Sequence, residues 1–309
     1  MSSQRIVFVV NPNAGNGATG REWPHLWTQA RDRLGPFDAH MTSGPCDATR
    51  LAREAVCAGA EIVVCVGGDG TLNEVVNGLM DDGEAVGPEA RVGYLPRGTG
   101  CDLGRSTPFP RDLDTALDNI LNGKTRSIDI GRLFYQNHQG RASHRYFHNV
   151  LSFGLGGEVD ERVNKTTKAL GGFISFMWAT LISILFYHTK RIHLQVDDHF
   201  DDELKAWNVA VANGQYHGGG MWIAPGADLN DGVFQVTIIG DLLLANVLLN
   251  LHKLYTGKIY DVDKVKMLRG RRVTARSPQR VLVDMDGEQP GQLPIAVDMI
   301  PSGLNIIAS

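Results

Sequence analysis

The sequence predicts an α/β domain built on a parallel sheet, followed by a second, mainly antiparallel domain. Three observations carry that reading. Up to about residue 127, apolar strand-like runs alternate with helical stretches, the pattern of βαβ units joined by right-handed crossovers. Beyond that point β-rich runs follow one another: TRSIDIGRLFY, RYFHNVLSFG, KRIHLQVDD, LKAWNVAVANG, GVFQVTIIG, RRVTARS and RVLVDMDG. Glycine-rich turns fall at strand ends in the first half, where ligands bind in parallel α/β sheets.

The elements follow in order. Strand RIVFVV (5–10) runs into NPNAGNG (11–17), and a helix is expected around REWPHLWTQARDRL. A strand at DAHMT and a helix at DATRLAREAVCAG lead to the apolar strand EIVVCV (61–66), the turn GGDGT (67–71) and the helix LNEVVNGLM. ARVGYLP, the turn PRGTG (96–100) and a helix near LDTALDNILNG complete the series. The three turns are expected to converge on one edge of the sheet. In the second half, RRVTARS sets Arg272, Thr274 and Arg276 on one face and Val273 and Ala275 on the other, a half-exposed antiparallel strand. The closing GLNIIAS is a short apolar strand that could return to the first domain.

At 309 residues the chain can bury two cores. Its apolar share of 43%, charged share of 21% and net charge of -4 describe a globular protein with no bias toward nucleic acid. Cys46, Cys57, Cys65 and Cys101 lack CxxC spacing, so neither a disulfide framework nor a zinc site is expected. MSSQR passes directly into a strand without a leader-like apolar core, and the expected compartment is reducing and cytoplasmic. The run GGFISFMWATLISILFY (171–187) is the most apolar in the chain. It falls short of the roughly 20 apolar residues that span a bilayer, and a buried or interfacial helix is expected.

GGDGT, between a buried strand and a helix, turns backbone N–H groups toward an anion, and phosphate is the usual guest. NPNAGNG supplies a second such loop. Asp69 is expected either to face a metal or to hold its loop by accepting backbone hydrogen bonds. In APGADLNDGVF (224–234), Asp228 and Asp231 with nearby carbonyls suit a hard cation such as magnesium, although Asn-Asp-Gly is equally a hairpin turn. Asp286 and Glu288 are spaced i, i+2, so in an extended segment both carboxylates face one side, where such a pair can take a proton from a hydroxyl. The competing reading is a DG turn ahead of Pro290. His144 and His148 are read as surface residues, and His217, beside a glycine run, as a candidate ligand contact. Arg269, Arg271, Arg272, Arg276 and Arg280 read as a solvated strand face or a contact for an anionic membrane.

NPNAGNG, GGDGTLNEVVNG, LPRGTGCDLGRS, SFGLGGEVD, GGGMWIAPGADLNDG and the DGE at 286–288 together resemble, in order and spacing, the diacylglycerol kinase catalytic-domain family, which includes bacterial lipid kinases and sphingosine kinases. The resemblance runs nearly end to end. It implies a Rossmann-like nucleotide-binding domain over residues 1–126, which a C-terminal strand at about 302–309 rejoins. It also implies a β-sandwich lipid-substrate domain over 127–301 and an active site in the cleft between the two. The ATP contacts it implies fall on Asn11, Pro12, Asn13, Ala14 and Gly15 of the 11–17 loop, on Thr42, on Gly67, Gly68, Asp69, Gly70, Thr71, Leu72 and Asn73, and on Thr99. A magnesium ion falls on Asp228, Asp231 and Val233, and the catalytic base on Glu288, with Asp286 second. Cys101 stands where the family usually has Asn, so a side-chain contact near the nucleotide is expected to be lost or altered; a thiol cannot replace both functions of an amide.

The implied reaction moves the γ-phosphoryl group of ATP to a lipid hydroxyl, with Glu288 accepting the proton. Peripheral membrane contact through the 171–187 run is implied with it, and exposed strand edges would permit a homodimer. An NAD kinase-like phosphotransferase acting on a soluble acceptor shares GGDGT, and Cys101 opens a third reading, a catalytically weak nucleotide-binding regulatory protein.

Overall fold

The computed structural model describes residues 4–98, 100–107, 109–110, 112–165, 180 and 182–308. Thr99 and most of the 171–187 run therefore lie outside the described residues. The chain forms two compact units, Met1–Asp129 with Ser302–Ser309, and Ile130–Pro301.

In the first unit, β1 (Ile6–Val10) is followed by α1 (Ala18–Leu34), β2 (Asp38–Met41), α2 (Asp47–Cys57), β3 (Ile62–Gly67) and α3 (Asp69–Leu79). A small ribbon, β4 (Met80–Asp81) with β5 (Glu84–Ala85), leads to β6 (Arg91–Pro96), α4 (Leu103–Ser106) and α5 (Leu113–Asn122). β1 pairs in parallel with β2 and β3, and β3 with β6. The chain end supplies the next strand, Asn305 opposite Arg91 and Ile306 opposite Val92, also parallel. β1 and β3 are buried along their whole length. Their unbroken apolar sequences are what a strand covered on both faces requires. Trp23 and Leu26 of α1, and Leu117 and Ile120 of α5, pack with Phe8, Val64 and Ile307 in one cluster.

The second unit is antiparallel. β7 (Lys124–Asn137) enters it and pairs with β8 (Ala142–Phe147); β9 (Val150–Gly154) and α6 (Leu155–Lys165) follow. Next come β10 (Lys190–Val196), β11 (Phe200–Ala212), the ribbon β12 (Tyr216–His217) with β13 (Met221–Trp222), and β14 (Phe234–Gly240). α7 (Leu244–Asn250), α8 (Lys253–Thr256) and a 3-10 turn at Ile259–Asp261 precede β15 (Val265–Gly270), β16 (Arg272–Arg276), β17 (Leu282–Met285) and β18 (Glu288–Ala308). The pairing order is β15-β14-β11-β10-β16-β18, while β9 joins β11 to β17 and β17 returns to β18. Inward residues of these strands, among them Phe147, Phe153, Val209, Phe234, Val273 and Val283, form one core. Two layers closed over shared side chains are the sandwich solution for antiparallel strands. β16 is half-exposed as its alternation predicts: Val273 and Ala275 are buried, Arg272 and Arg276 exposed.

Among the described residues no helix is long and apolar enough to cross a membrane.

Candidate functional site

In the first unit the three glycine-rich turns do converge. NPNAGNG links β1 to α1, GGDGT links β3 to α3, and PRGTG follows β6. Asn11 Nδ2 donates to Thr71 Oγ1 at 3.0 Å, tying the first loop to the second. The second and third meet backbone to backbone: a Cβ on Gly98 would lie 2.4 Å from Gly68 Cα, a separation that no side chain survives. A Cβ on Gly15 would lie 3.0 Å from the Arg97 carbonyl oxygen, which closes the ring of loops. The N-termini of α1 and α3 open from these loops, so the partial positive charge of both helices is directed at one place.

The remaining predicted nucleotide residues serve this frame. Asn11 Oδ1 accepts from the Asn13 N–H at 3.0 Å, fixing the turn that holds Pro12 and Ala14. Thr42 N–H donates to the Val10 carbonyl at 2.8 Å just past β2. Gly67 ends β3, and Gly70, Thr71, Leu72 and Asn73 form the first turns of α3, with Asn73 fully buried. Asp69 Oδ1 accepts the Asp102 N–H at 2.9 Å, so the carboxylate holds the PRGTG–α4 connection, the second of its two expected roles. Glu74, one turn along α3, accepts the Cys46 and Ala48 N–H groups at the start of α2 at 2.8 and 3.0 Å. Sequence reasoning passed over Glu74, which is half-buried on α3.

Cys101 fills the position where a nucleotide contact is expected to be lost or altered. It sits at φ 48° and is buried, with Sγ 3.4 Å from the Gly98 carbonyl oxygen and 3.5 Å from Tyr94 Oη. The thiol is thus a packing group under the loop. Burial, with the Asp69 carboxylate nearby, pushes the Tyr94 phenol well above its usual range and keeps it a donor.

In the second unit the DGE segment is a two-residue hairpin, not the extended strand that i, i+2 spacing assumed. Met285 pairs with Glu288, and Asp286 and Gly287 between them have φ of 50° and 85°. Positive φ at both central positions is the signature of the Asp-Gly type I′ turn, which matches strand twist. The two carboxylates consequently do different things. Asp286, with its side chain fully buried, accepts the N–H groups of His148, Asn149 and Val150 at 3.1, 3.2 and 2.9 Å and lies 2.9 Å from His148 Nδ1. It staples the hairpin to the β8–β9 connection. Glu288 retains 35% side-chain exposure and lies 2.8 Å from Arg145 Nη1. His148, read as a surface residue, is buried as the partner of Asp286, whereas His144 is exposed.

Asp284 supports the turn from below. It accepts the Gly287 N–H at 3.1 Å and the Ser152 hydroxyl at 3.2 Å. His217 Nδ1 lies 3.6 Å from the same Oδ2 that Ser152 reaches. Asn149 Nδ2 donates to the Tyr216 carbonyl at 2.8 Å, so the Tyr216–His217 ribbon is tied to the same hairpin. Arg145, His148, Ser152 and Asp284 were missed in the sequence; a lone aspartate inside the apolar run VLVDM was the available hint.

Asp228 and Asp231 lie on an exposed loop. Asp228 Oδ1 accepts the Asn230 N–H at 3.1 Å, and Asp231 Oδ1 accepts the Val233 N–H at 3.2 Å while its other oxygen bonds Arg269. These are the side-chain-to-backbone turns of an Asn-Asp-Gly loop, and they bring Asp231 and Val233 together. Among the described residues no three His, Cys, Asp or Glu side chains cluster as metal ligands. The set expected here needs only two carboxylates and a main-chain carbonyl, hard oxygen donors of the kind magnesium takes.

Two family models match the chain in succession. The model of the diacylglycerol kinase catalytic domain matches residues 5–133, and that of the YegS C-terminal NAD kinase beta sandwich-like domain matches 149–308. The diacylglycerol kinase of Bacillus subtilis (strain 168) is 27% identical over 296 residues, 95% of this chain and 92% of that protein. That of Staphylococcus carnosus (strain TM300) is 26% identical over 292 residues, 94% and 90% of the two. A solved diacylglycerol kinase from Bacillus anthracis str. Sterne superposes with TM-score 0.69 at 17% identity, covering 100% of this chain and 98% of that one. Yeast NADH kinase complexed with NADH superposes with TM-score 0.54 at 12% identity, covering 100% and 84%. Both structures share the fold: an N-terminal α/β nucleotide-binding domain and a C-terminal β-sandwich-like domain.

Proposed function

Given that the chain belongs to the diacylglycerol kinase catalytic-domain family, we propose that it transfers the γ-phosphoryl group of ATP to the hydroxyl of a lipid, diacylglycerol or a relative. The observation that carries this reading is Glu288: a solvent-accessible carboxylate held by Arg145 at the end of a hairpin whose other acid, Asp286, is consumed in structure. A base must be accessible and oriented, and of the two candidates only Glu288 is both.

In this reading the 11–17, 67–73 and 96–100 loops bind the phosphates through backbone N–H groups and helix N-termini. Asp228, Asp231 and the Val233 carbonyl would hold magnesium, which supplies charge neutralisation on the transferring phosphoryl group. Asp231 would then exchange its bond to Arg269 for the cation. Glu288 accepts the acceptor's proton as oxygen attacks phosphorus. Phosphoryl transfer asks little covalent chemistry of the protein, so loops that position and a base that orients are a sufficient equipment. The enzyme would work from the cytoplasm in peripheral contact with a membrane, since its acceptor resides there.

Label transfer from ATP to dispersed diacylglycerol, with and without chelator, tests the proposal. Label in the lipid that disappears on chelation supports it, and label in the lipid that survives full chelation removes the metal from it.

A further inference from the structure

The three glycine-rich turns of the first unit carry one cationic side chain between them. NPNAGNG and GGDGT contain no Lys or Arg, and PRGTG contributes Arg97. Their one acid is Asp69, which holds the Asp102 N–H. The side chains of the loops thus sum to no net charge. A polyphosphate seated there would be neutralised by backbone N–H groups and helix dipoles alone unless Arg97 takes part. The nearby arginines are engaged elsewhere: Arg21 Nη1 reaches the Asn16 carbonyl at 3.5 Å, and Arg105 Nε lies 3.3 Å from Asp102 Oδ1.

The backbone of Arg97 sits where the loops meet. Its N–H donates to the Gly67 carbonyl at 2.7 Å, at the end of β3, and its own carbonyl oxygen lies against Gly15. The side chain is held far more loosely. Nη1 lies 3.7 Å from Glu22 Oε2, an ion pair beyond hydrogen-bond length, and no other acceptor among the described residues takes the guanidinium. Arg97 retains 24% side-chain exposure and Glu22 54%, so water screens the pair and its contribution is small. Glu22 stands one turn into α1, and the mouth of that helix is about 5 Å away, within the swing of an arginine side chain. A planar guanidinium fork fits phosphate oxygens better than it fits one distant carboxylate oxygen.

We propose that the Arg97 side chain binds the phosphate chain of the donor nucleotide, leaving Glu22 as the nucleotide enters, and that Glu22 is the competitor holding the guanidinium in the empty site. The inference rests on the ATP reading above. A purely structural pair, tying PRGTG to α1, has the opposite consequence for Glu22, because loss of either partner would then loosen the loop and weaken binding. Calorimetric titration of the full chain with ATP, ADP and AMP, at fixed magnesium and without lipid, separates the two. Arg97→Met is expected to weaken ATP about 10- to 100-fold, ADP less and AMP least, because the lost charge matters in proportion to the charge it met. Arg97→Lys restores much of that loss by returning the charge without the fork. Glu22→Gln tightens ATP by up to about fivefold, the worth of the exposed pair that nucleotide must break. All three variants keep the wild-type melting temperature in the absence of nucleotide. Equal losses for ATP, ADP and AMP in Arg97→Met, or weaker ATP binding by Glu22→Gln, would overturn the proposal and leave the pair as a tie between loop and helix. Wild-type ATP binding that Arg97→Met leaves intact would remove the role of Arg97 alone, whereas a wild type that binds none of the three nucleotides would remove the ATP reading and this proposal with it.

Discussion

Arg145 Nη1 lies 2.8 Å from Glu288 Oε2, and the two come from β8 and the first residue of β18. The guanidinium fixes where the one accessible acid of the DGE hairpin points. Replacing Arg145 by Met should lower kcat about 10- to 100-fold while the KM for ATP stays put, because orientation of a base is lost and nucleotide binding is not. Steady-state kinetics on a dispersed lipid read both constants, and a raised ATP KM at unchanged kcat would count against this role.

Asp286 has the opposite character. Asp286→Asn leaves three backbone N–H groups facing a neutral, half-donor side chain, and should cost about 2–4 kcal/mol of stability. Urea unfolding reads the loss. A variant of wild-type stability with abolished activity would return Asp286 to the position of base.

Gly98→Ala places a Cβ against Gly68 Cα, where neither backbone can yield cheaply. The expected strain of about 1–3 kcal/mol falls on the glycine-rich loops, which should lower the melting temperature by several degrees and ATP affinity about tenfold. A fluorescent ATP analogue and a thermal melt separate the two effects.

The thiols should divide into two pairs. Cys46 and Cys57 are exposed, while Cys65 and Cys101 are buried, and burial pushes the Cys65 thiol far above its usual range. Iodoacetamide should label the first pair in the native protein and all four only after unfolding. Cys101→Asn should leave ATP affinity within about threefold and raise stability by up to about 1 kcal/mol, because Asn tolerates positive φ and its amide can serve both Tyr94 and the Gly98 carbonyl. A large gain in ATP affinity would show that the thiol position does contact the nucleotide.

The parallel half of the fold was legible because its information is local. β1 and β3 are apolar runs of strand length, and each ends in a turn whose glycines are demanded by close backbone approach, as Gly15 against the Arg97 carbonyl and Gly68 against Gly98 show. The DGE hairpin was legible only as a pair of alternatives, since spacing by two fits a strand and a turn alike; the positive φ of Asp286 decides between them. Arg145, His148 and Asp284 were hidden for a different reason. Their partners are residues far apart in the chain, Arg145 with Glu288 and His148 with Asp286, and no periodicity within one segment reports such a contact.

The most direct test of the central claim is label transfer from radiolabelled ATP offered dispersed diacylglycerol, NAD and fructose 6-phosphate in parallel, with wild type set beside Glu288→Gln. The account predicts label in the lipid alone, reduced about 10²- to 10⁴-fold by the substitution, as removal of a general base requires. Label in NAD, or lipid phosphorylation indifferent to Glu288→Gln, would contradict it.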